Sequence, residues 1–174
     1  MKILKTVIAS IAILISAAYA KAQFVKIDLQ VSGLTCSMCQ LATQKALKTL
    51  DFVSEIKPDL NTNIYTLILR KDKVVNLDLI KKKVKGAGFS VSKLVATFNF
   101  DNVKISNDFH YQFAGNSYHF MDVPSKTLNG ETRITILDKD FVPAADYKKY
   151  AAKTTYACYK TGLMGNTRTY HITI

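Results

Sequence analysis

Cys36 and Cys39 flank Ser37 and Met38 in the stretch Gly33-Leu34-Thr35-Cys36-Ser37-Met38-Cys39. Thiols at this spacing support two kinds of chemistry. As thiolates they can hold one soft cation nearly linearly, which suits Cu(I) and is tolerable for Zn(II) or another thiophilic ion. As a redox pair they can open and close a disulfide. A second set of donors lies around a Gly115-Asn116 hairpin signal. With those two residues as the loop, Phe113 faces Tyr118, Gln112 faces His119 and His110 faces Met121. The period of two then puts His110, Gln112, His119 and Met121 on one face, and Tyr111, Phe113, Tyr118 and Phe120 on the other. Two imidazoles and a thioether on one face would suit copper in either oxidation state and make His110, His119 and Met121 a candidate second site; the alternative is an ordinary solvent-facing side of a hairpin whose polar residues do nothing specific.

The elements that must carry the cysteines are legible on both sides of them. Phe24 to Val31 alternates, with Val25, Ile27, Leu29 and Val31 on one face, as a half-buried strand does. Cys39, Ala42, Ala46, Leu47 and Leu50 recur at helical spacing. The thiols therefore fall on a loop and first helical turn, where the positive end of the helix favours thiolate over thiol. Phe52 to Leu60 reads as an edge strand, because Pro58 removes a ladder donor. Asn61-Thr62-Asn63 signals a turn, and Ile64 to Arg70 a central strand. Asn76 caps a helix with Leu77, Ile80 and Val84 on its buried face, Gly86 and Gly88 stop it, and Phe89 to Val95 follows as a strand.

This order, βαββαβ, is the ferredoxin-like split motif. Residues 24–97 resemble the heavy-metal-associated domain of copper chaperones and of the N-termini of metal-transporting P-type ATPases. The resemblance rests on Gly33 to Cys39, on the Phe52 to Leu60 strand and on Ala87-Gly88-Phe89. It implies Cu(I) held by Cys36 and Cys39 and passed to a partner by thiolate exchange, the partner being a membrane or periplasmic copper protein. It also implies that Thr35 orders the loop and that Leu34, where the family usually has Met, anchors it from beneath. Phe89 matches a position near the metal loop and is ATPase-like in identity.

Residues 1–22 read as a secretory signal, with Lys2 and Lys5 in front, an apolar run from Val7 to Ala18, and Ala18-Tyr19-Ala20 or Ala20-Lys21-Ala22 as the exit. Export to the periplasm or beyond is the expectation, with a membrane anchor if the segment is kept. The chain carries +11, and residues 1–22 hold three lysines and no acid, which leaves +8. That excess is thinly spread, and no basic stripe interleaved with aromatics suggests nucleic acid. Three cysteines are an odd number, which argues for a site over a disulfide scaffold.

Residues 98–174 are read from pattern alone as mostly β, a small OB-like barrel with one helix. Asn129-Gly130 suggests a hairpin closed by Arg133 to Leu137, Pro143 opens a helix over Ala144 to Lys153, and Tyr156 to Lys160 and Thr167 to Ile174 are expected strands. Cys158 then falls in a strand as a core thiol, and His171 and Met164 join the second site only if the fold brings them to His119. The reading is thus an α+β chain: a signal at 1–22, a ferredoxin-like heavy-metal-associated domain at 23–97 and a β-rich domain at 98–174. Its function is copper binding and transfer without catalysis. The rivals are a thiol–disulfide oxidoreductase using the same cysteines and a metal-sensing adaptor. Oligomeric state is left open.

Overall fold

The computed structural model describes residues 23–174; the expected secretory segment lies outside them. Alternating apolar residues build β1 (Gln23–Ser32), which buries Ile27, Leu29 and Val31. A register shift between Phe24 and Lys26 turns Phe24, rather than the expected Val25, into the core. Then follow α1 (Ser37–Lys48), β2 (Val53–Asp59), β3 (Ile64–Leu69) and α2 (Leu77–Gly86). The Asn76 side chain accepts from the Leu79 amide at 3.1 Å, and Leu77, Ile80 and Val84 are fully buried. Burying each such side chain stabilises the fold by roughly 1.5–3 kcal/mol.

The next strand, β4 (Ser90–Ile105), decides the architecture. It is 16 residues long and runs unbroken through residues 97 and 98. On one side it pairs with β1, and on the other with β7 (Lys126–Ile136), antiparallel in both cases. Beyond it lie β5 (His110–Phe113), β6 (Asn116–Phe120), α3 (Ala144–Ala151), α4 (Cys158–Thr161), β8 (Leu163–Met164) and β9 (Thr167–Thr173). The sheet order is β2-β3-β1-β4-β7-β9-β6-β5, with β8 paired to β9. The first four strands are the ferredoxin-like half, with Pro58 on the edge strand β2 as expected.

The expected OB-like barrel is not formed. Its strands extend the first sheet instead, and the sheet stays open, with β2 and β5 as its ends. Asn129-Gly130 is no hairpin: Gly130, at φ +80°, lies inside β7 opposite Phe100, where the register slips before Val103. The extra residue is on β4, where Asn102 has φ 53°, and Gly130 takes its left-handed conformation within a strand facing that bulge, so the dipeptide misleads. Tyr156 to Lys160 forms a bend and the short helix α4, not a strand.

One apolar cluster runs under the whole sheet, from Leu47 and Ile80 on the first two helices to Phe120 and Ile172. Its centre is aromatic. Phe98 meets Phe24 and Phe113 edge to face, both at 4.9 Å between ring centres. A smaller cluster of Met121, Leu137 and Tyr159 takes up Tyr147 and Tyr150 of α3. The two halves are also tied by Asp78 in α2, which accepts from Arg168 Nε at 2.8 Å and from the Tyr170 hydroxyl at 3.0 Å. Among the described residues no helix is long and apolar enough to cross a membrane.

Candidate functional site

Gly33, at φ +91°, turns the chain out of β1, and a side chain there would meet Phe89 at 3.6 Å. Leu34 is buried beneath the loop, whereas Met38 is 70% exposed. Cys36 has extended backbone and caps α1: its Sγ accepts from the Cys39 amide at 3.2 Å. No acidic residue stands in the first turn, so nothing competes with a thiolate for the positive end of the helix. Cys36 and Cys39 are joined as a disulfide, with Cα atoms 5.2 Å apart. Cys36 is exposed and Cys39 rests partly on the core. The turn behind them is pinned from β3, where the Tyr65 hydroxyl donates to the Gln40 carbonyl at 3.1 Å. Reduced, this pair can exchange ligands at the surface; oxidised, it cannot ligate a metal, because the ligand is the thiolate.

The second candidate set is rearranged. The hairpin loop is Ala114-Gly115, both at positive φ (48° and 77°), as a type I′ turn requires. The register therefore differs by two from the expected one: His110 pairs with His119, Tyr111 with Tyr118 and Gln112 with Ser117. A shift of two keeps every side chain on its face, so the imidazoles stay together. Met121 leaves the set and packs with Leu137 and Tyr159.

What takes its place comes from far along the chain. β6 pairs in parallel with β9, placing His119 beside His171. The chain's three histidines thus form one row across β5, β6 and β9. The His110 and His119 rings stack at 4.2 Å, and those of His119 and His171 lie 5.2 Å apart. The first residue of α4, Cys158, comes down on this row. Its Sγ is 3.4 Å from His171 Nε2, 3.8 Å from His119 Nδ1 and 3.8 Å from His110 Nε2. The expectation of Cys158 as a strand-borne core thiol is replaced by this: it is buried, but among imidazoles. Met164 lies on the exposed β8.

The outward nitrogens of two histidines meet carboxylates. His119 Nε2 is 2.9 Å from Asp108 Oδ1, and His171 Nδ1 is 2.9 Å from Asp138 Oδ1. Asp138 Oδ2 also accepts the His171 amide at 3.0 Å. A carboxylate only accepts, so each proton sits on the nitrogen facing it, and the opposite lone pair points at the sulfur. Burial pushes His119 down to about 4, with the Asp108 hydrogen bond acting against it, and burial lowers His110 too. Burial raises the Cys158 thiol. Burial thus favours the uncharged forms of His110, His119 and Cys158.

No residue spacing announced this cluster, since its members span positions 108 to 171. The legible signal was that an otherwise histidine-poor chain alternates His110 and His119 onto one hairpin face. Comparison with known proteins bears on the first site alone. The family model for the heavy-metal-associated domain matches residues 28–90, from within β1 through the loop to the first residue of β4. That segment is similar to heavy-metal-associated domains, and the function such a domain implies is heavy-metal binding. Searches among curated proteins and among solved structures return no match.

Proposed function

We propose that the chain is an exported, non-catalytic copper carrier that takes Cu(I) on Cys36 and Cys39 and yields it to a membrane or periplasmic copper protein. The observation that supports this most is the cysteine pair, Cys36 exposed and Cys39 partly so, at the acid-free positive end of α1, inside the segment matched by the heavy-metal-associated domain. Two thiolates leave a soft cation open to a third, so an incoming partner thiolate can replace them one at a time without a free ion. Leu34 below and Tyr65 behind keep the loop's framework still while its sulfurs change partners. Zn(II) is the competing cargo for the same donors.

A second reading, thiol–disulfide exchange, draws on the Cys36–Cys39 disulfide and on Cys36 as helix cap. The two readings separate in one preparation. The fully reduced chain, with Cys158→Ser to remove the third thiol, is titrated anaerobically with Cu(I) against a chromophoric chelator. The expected result is one tightly held Cu(I) per chain with two sulfur neighbours by X-ray absorption, and no catalysis of insulin reduction. Turnover of insulin with Cu(I) affinity no higher than that of a Cys36→Ser/Cys39→Ser variant would overturn the carrier in favour of the oxidoreductase.

A further inference from the structure

We infer that Cys158, His110, His119 and His171 form a second, buried site for a single transition-metal ion, separate from the cysteine loop and resident in the β-rich half. Three imidazoles from three strands turn a ring nitrogen toward the sulfur of Cys158, which apolar packing alone does not require. The spacing is that of a first coordination shell. A metal–sulfur bond of about 2.3 Å and metal–nitrogen bonds of about 2.0–2.1 Å at a tetrahedral angle set nitrogen and sulfur about 3.5 Å apart. The observed separations are 3.4, 3.8 and 3.8 Å. The ligand atoms of His110, His119 and Cys158 all lie within 4.8 Å of one another.

The surroundings match the metal reading as well. Asp108 and Asp138 hold two imidazoles with their lone pairs inward, as carboxylates behind metal-bound histidines do. Two oriented lone pairs and a third ring nitrogen facing one thiol are a poor arrangement without a cation, because one S–H proton satisfies only one acceptor. A bound ion takes all three and displaces that proton to solvent, leaving Cys158 as thiolate. One thiolate with imidazoles selects Zn(II) or copper over the hard ions Mg(II) and Ca(II). Tyr159 holds the sulfur in place: its Oη lies 3.1 Å from the Leu137 carbonyl and 3.0 Å from that of Tyr147. Tyr156 sets its ring edge-on to His110 and His119, at 5.5 and 5.2 Å.

A different chemistry fits a subset of these residues. Cys158, His171 and Asp138 alone have the order of a nucleophile triad. Yet Cys158 is only 6% exposed and His171 wholly buried, so a substrate has no approach to the sulfur. The triad also gives no role to His110, or to His119 with its own carboxylate.

The test uses the full chain carrying Cys36→Ser and Cys39→Ser, so that the loop cannot contribute and its failure as a carrier has no bearing. Co(II) is the probe, followed by Zn(II) and Cu(II). The expected result is one Co(II) per chain, with the strong d–d absorption of four-coordination and a thiolate charge-transfer band, both bleached by Zn(II). Cys158→Ser abolishes the charge-transfer band. His110→Gln, on the half-buried edge strand and least disturbing to the fold, keeps the band but lowers affinity by about 10–100-fold or more. Circular dichroism shows each variant folded. Zn(II) slows alkylation of Cys158 by iodoacetamide. A folded chain that gives no thiolate–Co(II) band overturns the site, as does Co(II) binding indifferent to Cys158→Ser. Rapid alkylation of Cys158 that Zn(II) does not slow overturns it in favour of the nucleophile.

Discussion

The cysteine loop and the imidazole cluster handle sulfur in opposite ways. The loop takes both sulfurs from four consecutive residues at the surface, caps a helix with one of them, and supplies no carboxylate behind them. The cluster gathers donors from β5, β6, α4 and β9, buries all but the half-buried His110, and backs two of three imidazoles with acids. Ligands that are exposed and locally organised can be replaced one by one. Ligands that are buried and oriented by further hydrogen bonds lose them all together. The contrast teaches that one sheet can carry a site suited to exchange and a site suited to retention, with β4 common to both halves.

The widest gap between the sites comes from removing the loop sulfurs. Structural zinc sites share about 10–16 kcal/mol among four ligands, so two lost thiolates cost about 10⁴–10⁶-fold in affinity. Cys36→Ser/Cys39→Ser should produce that loss of Cu(I) binding in a Cys158→Ser background and leave the cluster's Co(II) spectrum unchanged in the presence of Cys158. Next comes the shared framework. Phe98→Ala should destabilise the chain by about 3–5 kcal/mol. Because Phe98 lies on the strand common to both halves, urea unfolding followed by circular dichroism and by cluster spectrum should give one coincident transition. Two separated transitions would show that the halves fold independently.

Asp138→Asn sharpens the contrast from the other side. It should weaken metal binding at the cluster by about 10–100-fold and leave Cu(I) affinity at the loop untouched, measured by chelator competition. A smaller effect concerns the tie between halves. Burial works to raise the Asp78 carboxyl, but hydrogen bonding and charge from Arg168, with Lys81, hold it at about 2, below its ordinary 3.8. A depressed carboxyl contributes stability that is whole above pH 3.8 and lost as pH falls through about 2. Acid unfolding of the metal-free chain should therefore show stability falling across that window, and Asp78→Asn should flatten the fall. Smallest of all, Met38→Ala should change stability by no more than about 0.5 kcal/mol and leave Cu(I) binding intact, since the side chain faces solvent.

The first half was readable because its determinants are local. Asn76 three residues before Leu79, Pro58 in a strand that must lie at an edge, and Gly33 before a cysteine cap each act over a few positions. The second half misled where one local signal serves two structures. Gly130 reads as a turn and lies within a strand, facing a bulge in β4; the segment around Cys158 reads as a strand and is a bend and a short helix. The hairpin at residues 110–120 was right in its faces and wrong in its pairs, because a two-residue slip preserves the first and changes the second.

By itself, then, the sequence determined that the cysteine pair falls on a loop and first helical turn and that the elements follow the βαββαβ order, since periodicity and turn chemistry act between near neighbours. Only the tertiary structure decided that β4 would continue into a second set of strands, and that β6 would take β9 as its parallel neighbour. Parallel pairing joins segments about fifty residues apart, and no local rule selects the partner. That choice put His171 beside His119 and set Cys158 over the row.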